Sequence, residues 1–224
     1  MFKGSVGLTA LVSVLFSFNV SHAKEFPVQA RLFAGNSKVD PKNVNEVIEA
    51  QGLKKIDSVS RYGVEITYPA MKYLDVGVRY TKILGDVEEN PASSATDYSA
   101  KVDQDALLLL ARVPLYRNDV VRFDGFAGVG GTNTKLKVRT ASQDGEFTKS
   151  AGEGWAASPY TAVGGSLSIG YKKFYFVVEG GIENNKVDGF DRSGSASASI
   201  DTLDLSGSYF SVGIMFNGIS GSIK

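Results

Sequence analysis

RYGVEITYPAMKYLDVGVRYT, residues 61–81, decides how the rest of the chain reads. Tyr62, Val64, Ile66 and Tyr68 alternate with Arg61, Gly63, Glu65 and Thr67. After Pro69-Ala70-Met71-Lys72 the alternation resumes, with Leu74, Val76, Val78 and Tyr80 set against Asp75, Gly77, Arg79 and Thr81. Side chains on a strand point to opposite faces with a period of two, so each arm has one apolar face and one face of charges, hydroxyls and glycine. The stretch is a hairpin whose two arms are amphipathic in the same sense.

Outward from this hairpin the pattern repeats. A first strand starts near Phe26, with Val28, Ala30, Leu32 and Ala34 opposite Gln29, Arg31 and Phe33. Residues 41–51 read as a short helix: Asp40 suits the N-cap, Pro41 the first helical position, Val44, Val47 and Ile48 an apolar stripe, and Gly52 the stop. Further strands are expected at 98–115, 120–138, 159–171, 174–183 and 207–216, with 159–171 and 174–183 meeting at Lys172-Lys173. The connections alternate long (35–56), short (69–72), long (85–97), short (116–119), long (139–158), short (172–173) and long (184–202). Tight turns on one side and long loops on the other are the expected pattern of an eight-stranded antiparallel, up-and-down transmembrane β-barrel, with the helix as an ornament or plug in the first loop.

The two faces can be assigned in two ways. A soluble eight-stranded barrel of lipocalin type turns its apolar face inward around a ligand; a membrane barrel turns it out. The second assignment is favoured by non-apolar faces made of Gly, Ser, Ala and isolated charges, which suit a narrow lumen. Aromatic residues also gather at strand ends: Tyr68, Tyr73, Tyr116, Tyr171, Phe174 and Phe216 by the short turns, with Tyr62, Tyr80 and Tyr160 toward the loops. Strand parity then points ten charges inward, Arg31, Arg61, Arg79, Arg112 and Arg122 with Glu65, Asp75, Asp124, Glu179 and Glu183. Because isolated charges in a filled lumen are costly, these are expected to pair, with Glu65, Asp75, Arg112 and Arg122 near the turn end and Arg79, Asp124 and Glu179 higher. The competing reading is a solvated, unpaired pore lining. Leu108 and Leu110 also fall on the inward parity, which keeps open a passive path for small hydrophobic solutes.

Residues 1–23 read as a secretory signal peptide: Lys3 starts it, Gly4 to Phe18 is uncharged and mostly apolar, and Ser21-His22-Ala23 offers a cleavage site. Residues 24–224 then form the barrel domain. The chain has 24 basic and 24 acidic side chains, a balance that argues against a nucleic-acid partner. Cysteine is absent, so no disulfide framework and no thiolate metal site is available.

On strand number, loop alternation and a last strand GSYFSVGIMF (207–216) that looks like an assembly signal, the chain resembles the small eight-stranded outer-membrane barrels, the OmpA/OmpX-like group with OmpW-like cousins. It departs from them in carrying Asn217 to Lys224 after the terminal aromatic Phe216. The resemblance implies a bacterial outer-membrane location and contact with outer-membrane lipids and lipopolysaccharide. It also implies dependence on the barrel-assembly machinery and an extracellular partner met through the loops. Related barrels that are enzymes generally use a histidine, whereas the single His here is His22, inside the leader. Without His or Cys the usual base and the strongest nucleophile for acyl transfer are missing. No catalytic, cofactor-binding or metal-binding residue is therefore assigned and no cofactor is expected. Gly128-Val129-Gly130-Gly131 lies in a strand with no helix after it and is not a phosphate loop. The acids of 85–97 are read as a solvated loop with at most weak affinity for a divalent cation. The expected role is structural or adhesive.

Overall fold

The computed structural model describes residues 28–89, 98–140, 144–150, 158–194 and 200–219. The leader and the end of the C-terminal tail lie outside the described residues. Eleven strands are described: β1 (Val28–Val39), β2 (Ser58–Met71), β3 (Leu74–Glu89), β4 (Tyr98–Arg117), β5 (Val121–Arg139), β6 (Asp144–Lys149), β7 (Pro159–Tyr171), β8 (Phe174–Asp188), β9 (Asp191–Gly194), β10 (Thr202–Asp204) and β11 (Gly207–Ile219). One helix, α1 (Lys42–Glu49), follows β1. Eight strands pair antiparallel in the ring β1-β2-β3-β4-β5-β7-β8-β11, and β11 closes onto β1 from Val39↔Gly207 to Val28↔Ile219. The barrel therefore has no free edge, which removes the unpaired N–H and C=O groups that hydrocarbon would not tolerate.

The faces are inverted relative to a soluble barrel, but only over part of its height. On β4, Leu107, Leu109, Ala111, Val113 and Leu115 point out while Arg112 is fully buried. That run from Leu107 to Leu115 matches the ~9–11 residues a tilted strand needs to cross a bilayer. Above it the same strand changes sense: Lys101, Asp103 and Asp105 lie outside, and Ala100 and Val102 lie inside. At this loop end, Val44 and Ile48 of α1 pack with Leu53, Ile56, Val59, Ile83, Leu136, Val138, Phe147, Val187, Ile200, Leu203 and Leu205 in one apolar core. Asn45 ties it together, its Nδ2 donating to the Ile56 carbonyl at 3.0 Å and its Oδ1 accepting from the Ile56 N–H at 2.8 Å.

Several expectations need adjustment. The helix starts one residue later than read, with Pro41 at the cap position and no side-chain cap; Asp40 instead accepts from Asn45 Nδ2 at 3.4 Å. Gly52 does take a left-handed φ of 85° as the helix ends. The polar stretches expected as loops are partly sheet. β3 runs to Glu89, β6 pairs with β5 inside 139–158, and β8 runs on to Asp188 and pairs with β10. β11 continues past Phe216 to Ile219. Tyr160 does not join an outer belt: even-numbered residues of β7 face the lumen, and its ring is completely buried. The remaining loop-side belt is Tyr62 and Tyr80, both exposed, with exposed Phe210 beside them.

Candidate functional site

Strand tilt and parity stack the inward residues in layers. The layer nearest the short turns is built by Asp75 (β3), Arg117 (β4) and Asp124 (β5). Arg117 Nη2 lies 2.5 Å from Asp75 Oδ2 and 2.8 Å from Asp124 Oδ1, and its Nε donates to the same Asp124 oxygen at 2.9 Å. Arg117 was not among the residues expected to face inward. A register shift between Pro114 and Tyr116 inserts one extra residue against β5, so the inward parity passes from even to odd and carries Arg117 into the lumen. Arg122 lies in the same region but has no carboxylate within ion-pair distance among the described residues. Its guanidinium stacks 4.5 Å from the centre of the Tyr175 ring, so its assignment as an ion-pair member is corrected to a cation–π contact.

The central layer holds Arg31 (β1), Glu65 (β2), Arg79 (β3), Arg112 (β4) and Glu179 (β8). Glu65 accepts from Arg79 Nε at 2.8 Å and Nη2 at 2.6 Å, and from Arg112 Nε at 2.6 Å and Nη2 at 2.8 Å. Glu179 Oε2 accepts from Arg79 Nη2 at 2.8 Å and Arg112 Nη2 at 2.7 Å. Arg31 completes the group, 3.6 Å from Glu65, 3.9 Å from Glu179 and 3.2 Å from Asp124. Ser166 Oγ accepts from both Arg31 and Arg112, at 3.1 and 3.2 Å. Phe126 lies under the Arg112 and Arg79 guanidiniums, 4.6 and 5.1 Å from its ring centre. Charge-assisted, forked contacts of this kind are the strong class of hydrogen bond.

One level toward the loops, Arg61 (β2) meets Glu183 (β8) at 3.0 Å, and Ser37 donates to the other Glu183 oxygen at 2.7 Å. The Tyr160 hydroxyl also donates to Glu183, and Tyr209 places its ring 3.8 Å from the Arg61 guanidinium. Above them Gln104 Nε2 donates to Thr134 at 2.8 Å and to Asn185 at 3.1 Å, and Asn185 returns a bond of 2.7 Å. The apolar core around α1 closes the stack.

The vertical order differs from the sequence reading. Arg112 and Glu65 sit in the middle layer with Arg79 and Glu179, while Asp124 spans from that layer down to Asp75 through Arg117. The reason is stagger: Arg31 on β1 reaches Asp124 on β5 across the lumen, a contact that strand parity alone cannot place.

The arrangement leaves little chemistry available to a substrate. Glu65, Glu179 and Glu183 are held by guanidinium or hydroxyl donors, and Arg61, Arg79 and Arg112 are at most 1 % exposed, so water does not reach them. Leu108 and Leu110 do face inward, but they pack with Phe126, Tyr160, Ala162 and Tyr209 rather than lining an open path. The acids at the loop end of the β3–β4 hairpin are engaged as well: Lys101 meets Asp86 and Glu88, and Lys54 meets Glu89 at 3.0 Å.

No protein-family profile and no curated protein sequence matches the chain. Among solved structures, it is similar to the outer membrane protein OprG of Pseudomonas aeruginosa, with 14% identity and a TM-score of 0.48, covering 89% of this chain and 99% of that one. The neisserial surface protein NspA gives 13% identity and a TM-score of 0.47, covering 88% and 99%. Ail, the attachment invasion locus protein of Yersinia pestis, gives 13% identity and a TM-score of 0.43, covering 87% and 99%. These are likenesses in the path of the chain. The strand pairing, closed from β11 to β1 around a charged interior and wrapped in an apolar band, makes the chain an eight-stranded antiparallel β-barrel of the transmembrane kind.

Proposed function

We propose that the protein is an integral bacterial outer-membrane barrel without enzymatic activity, closed by its own lumen, that serves a structural or adhesive role through its loop end. The observation that carries this reading is the outer apolar band. Leu32, Val64, Ile66, Val76, Leu109, Val113, Val129, Val163, Ile169, Ile182, Val212 and Ile214 are exposed around the ring, between aromatic girdles. In water such a band would exceed the apolar patches that soluble monomers tolerate; in a bilayer it is the lipid contact. Residues 1–23 direct export in this reading, the barrel-assembly machinery inserts the chain, and the short turns face the periplasm.

Closure of the lumen separates this role from passive transport of small hydrophobic solutes. Purified wild-type protein in planar bilayers is expected to give no steady conductance; reproducible open channels would overturn the plugged reading. Cell fractionation tests the location, since a soluble periplasmic protein would overturn the membrane assignment. Proteolysis of intact cells is expected to cut loop-end segments and spare the short turns.

A further inference from the structure

Strand parity and the register shift in β4 put six arginines of the barrel wall inside, against five carboxylates among the described residues. Five of the six have an acid to meet: Arg31, Arg61, Arg79, Arg112 and Arg117 reach one at 3.2, 3.0, 2.6, 2.6 and 2.5 Å. Arg122 is the one left over. It is the second residue of β5, beside the short turn, and stands directly opposite Arg117 in the β4–β5 ladder. Directly opposed side chains have Cβ atoms ~4.5–5.5 Å apart, and like charges there repel. Neither neighbouring acid relieves this, since Asp75 and Asp124 are both taken by Arg117, and Asp124 also by Arg31 at 3.2 Å.

The surroundings of Arg122 hold its guanidinium and leave its edge unused. The Tyr175 ring lies 4.5 Å from it, and the Tyr175 hydroxyl donates to the Asp119 carbonyl at 3.1 Å, which fixes the ring as a platform. Stacking occupies the flat face of a guanidinium, whereas anions are bound by its in-plane fork of N–H groups. Arg122 Nε is buried without a hydrogen-bond partner among the described residues. Its cross-strand neighbour on β7 is Ser168, fully buried, whose Oγ is likewise without a partner. A buried cation edge and a buried hydroxyl, side by side and both unsatisfied, are costly unless an acceptor completes them. The rim is cationic too. The β7–β8 turn exposes Lys172 and Lys173, while the neighbouring β4–β5 turn, bonded to it from the Gly170 N–H to the Val120 carbonyl at 2.8 Å, exposes Asp119 as its one acid. Such a field draws anions toward the mouth.

We propose that the short-turn mouth of the barrel binds a monocarboxylate on Arg122 and Ser168. One carboxylate oxygen accepts from Arg122 Nε and the other from a terminal N–H of the same fork, and the Ser168 hydroxyl donates to one of them. Shape selects a planar group with two oxygens, which the fork matches. Charge selects a monoanion. Asp75 and Asp124 are compensated by Arg117 and Arg31, so the lumen is one cation in excess and a single negative charge restores neutrality. A phosphate group, at about −1.5 to −2, would leave unmatched charge beside Asp124. Arg122 is half-buried rather than sealed, so the carboxylate enters from the water at the turns while the lumen above stays closed. The site rests on the barrel alone and does not depend on what the loop end does.

The test is a titration of the ¹⁵N-labelled barrel, folded in lipid nanodiscs, with sodium acetate replacing sodium chloride at constant ionic strength. Arginine Nε–H signals are read, that of Arg122 being the one missing from Arg122→Gln. It is expected to move saturably with acetate while those of Arg61, Arg79 and Arg112 stay in place. Sodium phosphate is expected to bind at least about tenfold more weakly. Ser168→Ala is expected to weaken acetate binding about threefold to tenfold, the loss of one hydrogen bond. In acetate-free buffer Arg122→Gln should fold with a urea midpoint no lower than that of the wild type, since it removes an unmatched charge, and acetate should raise the midpoint of the wild type alone. No saturable shift, equal shifts at the paired arginines, equal binding of phosphate, or unchanged affinity in Ser168→Ala would each overturn the site. So would failure of Arg122→Gln to fold, which would make Arg122 a compensated structural partner.

Discussion

Replacing Glu65 by glutamine tests the lumen most directly. Glu65 is the carboxylate on which the central layer converges, with four hydrogen bonds of 2.6–2.8 Å from Arg79 and Arg112 and Arg31 a further 3.6 Å away. Glu65→Gln keeps the shape but removes the charge, and turns an amide NH₂ toward guanidinium N–H groups, so donors face donors. Three buried cations are then left to share Glu179, with Asp124 reaching only Arg31. Breaking one buried pair costs ~3–5 kcal/mol, a large share of the ~5–15 kcal/mol that holds a typical domain folded. Urea titration in lipid vesicles, followed by circular dichroism and by the unboiled gel mobility of the folded barrel, is expected to show a loss at the upper end of that range. Pairing Glu65→Gln with Arg112→Met should cost less than the two single changes together, because the second removes a cation the first has stranded. A loss below ~1 kcal/mol for Glu65→Gln would show a hydrated, loosely coupled lumen and refute the picture of a sealed ion-pair stack.

Other perturbations reach different parts of the molecule. Ile48→Ala in α1 opens the loop-end core, where Ile48 is fully buried. Such a truncation costs ~2–5 kcal/mol, and it should appear as faster hydrogen exchange and protease cutting at the loop end while the bilayer-embedded strands stay protected. At Gly130 an added Cβ would fall 1.8 Å from the Leu107 carbonyl oxygen, so Gly130→Ala is expected to destabilise the β4–β5 pair by ~1–3 kcal/mol in the same titration. Lys172, in the tight turn before β8, has φ of 57°. Lys172→Asn should relieve part of the ~1–2 kcal/mol that a left-handed residue costs and raise the urea midpoint. On the outer hairpin, Lys135 holds the Glu146 carboxyl below its ordinary range through a side-chain hydrogen bond, with Lys137 adding to it. A lowered folded-state pKa stabilises at pH above the unfolded carboxylate value and is lost as pH falls through the folded one. Exchange protection in β6 should therefore drop on acidification, and Glu146→Gln should abolish that dependence.

How much of this was legible in the sequence depends on the element. Period-two alternation places Arg31, Arg61, Glu65, Arg79 and Arg112 inside without coordinates, since each strand keeps its parity through the bilayer. It fails at Arg117, because the extra residue near Pro114 leaves no mark in a pattern of apolar and polar letters. Contacts such as Arg31 with Asp124 were equally hidden, since they depend on how far each strand is staggered around the ring. The loop-end core escaped for a different reason. Phe147, Phe190, Ile200, Leu203 and Leu205 stand singly in polar surroundings, and only the return of β6, β9 and β10 to the barrel wall brings them together. A signal existed there: isolated large apolar residues in otherwise soluble-looking segments need somewhere to be buried.

The change of sense along β4, from Leu107 and Leu109 outside to Lys101, Asp103 and Asp105 outside, acts as a waterline. Sinking the barrel by two residues, ~7 Å along a strand, would drag Asp105 and Lys82 into hydrocarbon, where a lipid-facing charge costs up to ~2–4 kcal/mol. Raising it by as much would lift the loop-side girdle of Tyr62, Tyr80 and Phe210 clear of the interface. The molecule therefore floats at one depth, and whatever stands above that line is carried at a fixed height over the membrane.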